Sequence, residues 1–266
     1  MGSAETSEQP GATSTAPARP TGFRAAHAEL RRAQKSSKGA PAYSLFVNRP
    51  LGRVLAAATF QLGMTPDQVT VVSACSTFAG VVAIALASPT VWAALGVTAL
   101  LVLGYALDSA DGQLARLRGG GSLSGEWLDH MFDAAKTPAI HLAVLVFAYR
   151  HLGTGDPRWL LVPLGFLVVA TVAFFGMILN DLMAAKQRLA RGAQAAPATP
   201  ASTRPTLIRT LLKLPADYGL LCLAFLTLAA PPVLAVVYTL LGLGTTAYVA
   251  LALPAWYRSV RLLDRS

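Results

Sequence analysis

Long apolar runs constrain the fold of this sequence more than any other feature. Six of them follow one another, and each is near or above the roughly 20 residues that a helix needs to cross a bilayer. Charged residues make up only 13% of the chain, whereas ordinary soluble domains carry roughly 25%. The sequence therefore predicts an all-α membrane protein, a six-helix transmembrane bundle with spans at residues 67–88, 91–116, 123–149, 158–184, 214–231 and 233–256.

Two segments of different composition precede the first run. Residues 1–40 are rich in Ala, Ser, Thr, Pro and Gly, which predicts a disordered basic tail with one short helix around Phe23 to Gln34. Residues 41–64 mix Arg49 and Arg53 with apolar residues, which favours an amphipathic helix lying at the membrane interface. The membrane domain then occupies residues 65–266.

Lysines and arginines predict the orientation of the spans. They concentrate before the first run, between the second and third, between the fourth and fifth, and after the sixth. The loops on the other side carry only Arg150 and Arg158, and Lys136 lies within the third run. By the positive-inside rule, both termini are cytoplasmic. The net charge of +9 is accounted for by topology and anionic lipid, so we expect no nucleic-acid partner.

Four carboxylates stand where the second and third runs meet. They form two groups on either side of the glycine-rich loop 119–121, and each group keeps helical spacing. On a helix each group covers an arc of no more than about 100°, so a helical hairpin can point all four at one another. Clustered carboxylates at the edge of a membrane need cations, and divalent ions bound by oxygen suit them. The four are Asp108, Asp111, Asp129 and Asp133.

The pattern D-x-x-D-G-x-x-A-R, eight residues, then G-x-x-x-D-x-x-x-D resembles the signature of the CDP-alcohol phosphatidyltransferases. Its eight positions are filled by Asp108, Asp111, Gly112, Ala115, Arg116, Gly125, Asp129 and Asp133. The resemblance implies an enzyme of phospholipid biosynthesis. It would transfer a phosphatidyl group from a CDP-linked lipid alcohol, such as CDP-diacylglycerol, to an acceptor hydroxyl and release CMP.

The resemblance also implies a role for each of these residues. The metal ligands would be Asp108, Asp111, Asp129 and Asp133, holding two ions of Mg²⁺ or Mn²⁺. Asp133 would in addition be the general base that takes the proton of the acceptor hydroxyl. The nucleotide would lie against Gly112, Ala115, Arg116 and Gly125. By the same resemblance, the active assembly would be a homodimer. The positive-inside rule predicts that the motif, like both termini, is cytoplasmic.

Lys136 and the start of the first run leave alternatives open. Lys136 is one turn deeper than Asp133, where it can contact an acidic acceptor or pair with the carboxylates. The segment Thr65-Pro66-Asp67-Gln68 predicts a helix start, which explains Thr65 and Pro66 without a chemical role. The family commonly has T-P-N-x-x-T here; Asp67 stands in place of the asparagine, and Thr70 matches the last position.

Other classes of function also use such features. The same carboxylates would suit a divalent-cation transporter, although no inverted repeat is visible and the acids cluster at one cytosolic hairpin. A non-catalytic scaffold that recruits partners through the basic tail is a third reading. Within the enzyme reading the acceptor stays open, since inositol phosphate, glycerol phosphate, serine and other alcohols all suit it.

Overall fold

Helices account for nearly all of the chain that the structure, a computed structural model, describes: residues 22–32, 41–152, 156–190 and 216–264. No β-strand occurs in those ranges, so the all-helical prediction is confirmed. The α-helices are α1 (Phe23–Arg32), α2 (Arg49–Gln61), α3 (Pro66–Leu86), α4 (Val91–Leu117), α5 (Leu123–His151), α6 (Leu161–Ala190), α7 (Tyr218–Ala224) and α8 (Pro231–Asp264). A π-helical turn, Ser44–Asn48, precedes α2, and 3-10 turns, Pro157–Leu160 and Phe225–Thr227, precede α6 and follow α7.

Five of these helices are long and apolar enough to cross a membrane. They are α3, α4, α5, α6 with its preceding turn, and α8, and they contain 21 to 34 residues each. Their bounds lie within a few residues of five predicted runs, except that α6 and α8 continue further at their carboxyl ends. A chain with several such helices is what a multi-pass membrane protein requires.

The fifth predicted span, residues 214–231, is not confirmed as a crossing helix. The described part of it forms one short apolar helix, Tyr218–Thr227. Ten helical residues extend about 15 Å, half the thickness of the hydrocarbon core. Leu221, Cys222 and Phe225 are buried among the other helices, which explains the apolar composition without a span. The first residues of the predicted span lie outside the described ranges, and the count of six is therefore not confirmed.

The first membrane helix begins at the predicted cap. The Thr65 Oγ1 atom accepts a hydrogen bond from the Gln68 backbone nitrogen at 3.2 Å, and the Gln68 side chain accepts one from the Thr65 nitrogen at 2.9 Å. Pro66 occupies the first turn, where its missing N–H leaves no partner unsatisfied. Local sequence alone therefore fixes where α3 starts.

The juxtamembrane segment packs against the membrane domain through α2. Gly52 lies so close to α4 that a Cβ atom there would stand 2.8 Å from the Ser109 Cβ. Ala26 and Leu30 of α1 are buried in the same apolar cluster as Ala56 and Ala57 of α2. Helix α1 falls within the predicted tail, near the short helix expected there, and the remainder of the tail prediction lies outside the described residues. The location of α2 at the membrane interface stays a prediction.

Candidate active site

A tight turn between α4 and α5 brings the two halves of the carboxylate motif side by side. Gly119 and Gly120 have φ values of +99° and +135°, which residues with a side chain rarely adopt. The Gly120 nitrogen donates to the Ala115 carbonyl oxygen at 2.9 Å. The Ser122 hydroxyl then caps α5 by accepting from the Gly125 nitrogen at 3.0 Å. The chain therefore reverses within a few residues, and α5 returns alongside α4.

Three of the four carboxylates form a compact cluster. One oxygen each from Asp108, Asp129 and Asp133 lies within 4.8 Å of the other two, and all three residues are half-buried. Oxygens bound to one divalent ion at about 2.0–2.6 Å lie within roughly 5 Å of one another. These three side chains therefore fit the coordination sphere of a hard divalent ion.

Asp111 faces a different neighbour. Its side chain is buried, and its Oδ2 accepts a hydrogen bond of 2.6 Å from the Thr70 hydroxyl on α3. It is not part of the cluster of three. Carboxylates that bind metal are usually hydrogen-bonded themselves, because the second contact orients them. The assignment of Asp111 as a metal ligand therefore stays a prediction, with Thr70 as the residue that holds it.

Lys136 lies between two carboxylates of the cluster. Its Nζ atom is 3.0 Å from Asp108 Oδ1 and 2.5 Å from Asp133 Oδ1, and only 13% of its side chain is exposed. One positive charge between two negative ones offsets much of their repulsion in a poorly hydrated place. Of the two alternatives for Lys136, the structure shows the pairing with carboxylates, and contact with an acceptor stays a prediction.

The small residues of the motif differ in their surroundings. Ala115 is buried, and a Cβ added at Gly112 would meet only the Arg116 guanidinium, at 3.7 Å. A Cβ at Gly125 would stand 2.9 Å from Asp67 Oδ1, so the missing side chain lets the start of α3 approach α5. The nucleotide-binding role of these four residues stays a prediction.

Sequence reasoning gave no chemical role to several residues that contact the site. Asp67 and Thr70 carried a visible signal, since both belong to the segment after Thr65, but the helix start explained that segment. Asp217 and Tyr218 carried no such signal. They reach the site through tertiary packing only, since the Tyr218 ring contacts Tyr105 of α4 and Lys136 of α5.

A cavity of about 360 Å³ opens next to the cluster. Asp108, Asp133 and Lys136 are among the residues that line it, and α6, α7 and α8 contribute others. Ten of its other 17 lining residues are apolar: Pro41, Ile140, Phe166, Ala170, Ala173, Phe174, Met177, Ala216, Leu221 and Trp256. A small molecule in this cavity would place one end against the carboxylates and the lysine.

Comparison with known proteins gives the following similarities. A family model described as CDP-alcohol phosphatidyltransferase matches residues 63–256. The chain is also similar to two crystal structures of Mycobacterium tuberculosis phosphatidylinositol phosphate synthase (PgsA1). One has CDP-DAG bound, and the other is in complex with manganese and citrate. Each is 23% identical to this chain, with a TM-score of 0.47. Both cover 79% of this chain, and the chain covers 94% and 89% of them, respectively. A comparison with curated proteins found no match.

Proposed function

Because this chain belongs to the CDP-alcohol phosphatidyltransferase family and is a multi-pass integral membrane protein, we propose that it transfers a phosphatidyl group from a CDP-linked lipid such as CDP-diacylglycerol to an acceptor alcohol. The observation that carries the proposal is the cluster of Asp108, Asp129 and Asp133 at the α4–α5 hairpin. Asp108 lies about ten residues, or roughly 15 Å of helix, from Arg118 at the turn. A nucleotide headgroup would then enter from the aqueous side while its acyl chains stay in the membrane.

The carboxylate set is suited to magnesium or manganese. Asp108, Asp129 and Asp133 would hold the metal together with Asp111, and four carboxylates are enough for two ions. A bound divalent ion neutralises pyrophosphate charge and stabilises CMP as the leaving group. The small residues Gly112, Ala115 and Gly125 would leave space for the cytidine nucleotide, and Arg116 would contact its phosphates.

Asp133 is the proposed general base. It is the motif carboxylate deepest along α5, and it lines the cavity beside Lys136. An acceptor hydroxyl there would give its proton to the Asp133 carboxylate while its oxygen attacks the lipid-bearing phosphorus. The bond between that phosphorus and the CMP oxygen breaks, and CMP leaves. No covalent intermediate with the protein is required.

The acceptor would occupy the cavity next to the cluster. Lys136 lines this cavity beside Asp133, so its ammonium would contact a negatively charged or hydroxyl-rich acceptor. The apolar lining residues would pack against the carbon skeleton of the acceptor. We further propose that both termini and the active site are cytoplasmic and that two copies form a homodimer.

Release of CMP by the purified protein tests this function. The protein would be incubated with CDP-diacylglycerol and magnesium, and with inositol phosphate, glycerol phosphate or serine in turn. We expect CMP and one new lipid with one class of acceptor, and neither with Asp108→Asn. Absence of CMP with every acceptor, together with uptake of divalent cations into proteoliposomes, would favour the transporter reading instead.

A further inference from the structure

The ring of Tyr218 is a neighbour of Lys136 that belongs to neither half of the motif. The Lys136 Nζ atom lies 5.6 Å from the centroid of this ring. An ammonium at that distance over an aromatic face is attracted by the negative charge of the ring face. The Lys136 ammonium therefore contacts both the carboxylates of Asp108 and Asp133 and an aromatic face.

Two further tyrosines hold Tyr218 in this position. Tyr105, one turn before Asp108 on α4, packs edge-on against the Tyr218 ring with a centroid distance of 5.1 Å and an interplanar angle of 80°. Tyr43 of the juxtamembrane segment stacks on Tyr105 at 6.0 Å and 13°. Aromatic pairs in such geometries stabilise their mutual orientation beyond the burial of area. A continuous aromatic contact thus runs from the juxtamembrane segment to Lys136.

Asp217 forms hydrogen bonds at both ends of this row of aromatic rings, with the backbone at Tyr43 and with the backbone of α7. Its side chain is buried; Oδ2 accepts from the Tyr43 backbone nitrogen at 2.9 Å, and Oδ1 accepts from the Gly219 nitrogen at 3.0 Å. It thereby caps α7 and binds a segment 174 residues earlier in the chain. The Tyr43 ring lies directly on the α7 backbone, where a side chain at position 219 would collide with it.

From these contacts we propose that Tyr218 is a positioning residue of the reaction: its ring, fixed by Asp217 and Tyr105, keeps the Lys136 ammonium between Asp108 and Asp133. The juxtamembrane segment is then part of the active-site support and not only a membrane anchor. The effect of Tyr218 on turnover rests on the proposed transfer reaction, whereas its effect on the position of Lys136 is independent of that reaction.

Chemical labelling of Lys136 tests the position without any substrate. Acetic anhydride modifies free amines, and an ammonium held between two carboxylates reacts slowly. Acetylation of Lys136 would be followed by mass spectrometry in the purified full-length protein, with the exposed Lys186 as the internal reference. Tyr218→Leu should raise the relative rate roughly 2- to 30-fold, the range of a cation–π contact. Tyr218→Phe, which keeps the ring, should leave it unchanged.

A matched pair of helix caps tests the role of Asp217. Asp217→Asn removes one of the two acceptor oxygens of this side chain, since an amide has a single one, and it should raise Lys136 labelling. Asp156 caps its own turn in the same way, accepting from the Arg158 nitrogen at 2.9 Å, but it does not line the cavity. Asp156→Asn should leave Lys136 labelling unchanged. An equal effect of both substitutions would overturn the role of Asp217.

Turnover separates positioning from a general loss of structure. Tyr218→Leu should lower kcat/KM for the acceptor roughly 2- to 30-fold, the range expected for Lys136 acetylation. It should leave KM for CDP-diacylglycerol unchanged. Combined with Lys136→Met, it should add no further loss, because Tyr218 acts on turnover only through the Lys136 ammonium. Additive losses, or less than a twofold change in Lys136 labelling with Tyr218→Leu, would overturn the proposal. If the parent protein releases no CMP, the proposed function fails, and the labelling result still decides the position of Lys136.

Discussion

Replacing Asp133 by asparagine separates the proposed base from the other carboxylates. Asparagine keeps the size of the side chain and one ligand oxygen but cannot accept the proton of the acceptor hydroxyl. Loss of a general base typically lowers the rate by about 10²- to 10⁴-fold. We therefore expect Asp133→Asn to abolish measurable turnover while the binding of CDP-lipid largely survives.

The surroundings of Asp133 indicate that the substitution should not unfold the site. Leaving a buried charge without a partner costs about 3–5 kcal/mol. Lys136, however, keeps Asp108 at 3.0 Å, and the asparagine oxygen can still accept a hydrogen bond from it. The expected loss is only the extra strength that the carboxylate charge gives to that hydrogen bond, about 1 kcal/mol. The effect on rate should thus far exceed the effect on stability.

The assay measures CDP-lipid affinity and CMP release on the same purified variants. Asp108→Asn and Asp111→Asn serve as comparisons, because they should weaken nucleotide and metal binding together. Near-parental turnover of Asp133→Asn would refute its role as the base and make Asp129 the next candidate. A loss of binding as severe as that of Asp108→Asn would instead identify Asp133 mainly as a ligand.

Three further predictions concern orientation and the support of the site. A cysteine introduced at Ser3 or Ser266 should resist impermeant labelling from outside intact cells, and labelling there would refute the cytoplasmic termini. Thr70→Val should lower kcat/KM for CDP-lipid roughly 10- to 100-fold, as expected for losing a hydrogen bond to a charged group. Thr70→Ser keeps the hydroxyl and should retain activity. Equal effects of the two substitutions would refute the role of the Thr70 hydroxyl. Gly125→Ala should weaken CDP-lipid binding, because its Cβ would stand 2.9 Å from Asp67 Oδ1, whereas a Cβ at Gly121 meets nothing closer than 4.0 Å. Comparable binding by both alanine variants would show that the space at Gly125 is not needed.

Local patterns in the sequence were sufficient to predict the helices and the hairpin. Apolar runs predicted five long helices closely, because burial in lipid imposes length and composition on each helix separately. The phase of the aspartates along two helices indicated that they share one space. The turn at Gly119 and Gly120 was equally visible, because few residues other than glycine adopt its backbone conformation.

Tertiary packing accounts for what the sequence did not predict. The run 214–231 is apolar because α7 is buried among other helices, and hydropathy does not distinguish burial in protein from burial in lipid. The separation of Asp111 from the other carboxylates follows from its hydrogen bond with Thr70, 41 residues earlier. The contact between Tyr218 and Lys136 likewise joins distant parts of the chain, and no spacing rule indicates such a pair.

Metal dependence of turnover tests the central claim, that the clustered carboxylates form a metal site for reaction of a CDP-lipid. The purified protein would be stripped with EDTA, and CMP release from CDP-diacylglycerol would be measured before and after magnesium or manganese is restored. We predict no CMP release in excess EDTA and full recovery with either ion, because Asp108, Asp129 and Asp133 offer only oxygen ligands. Undiminished CMP release in excess EDTA would contradict the account.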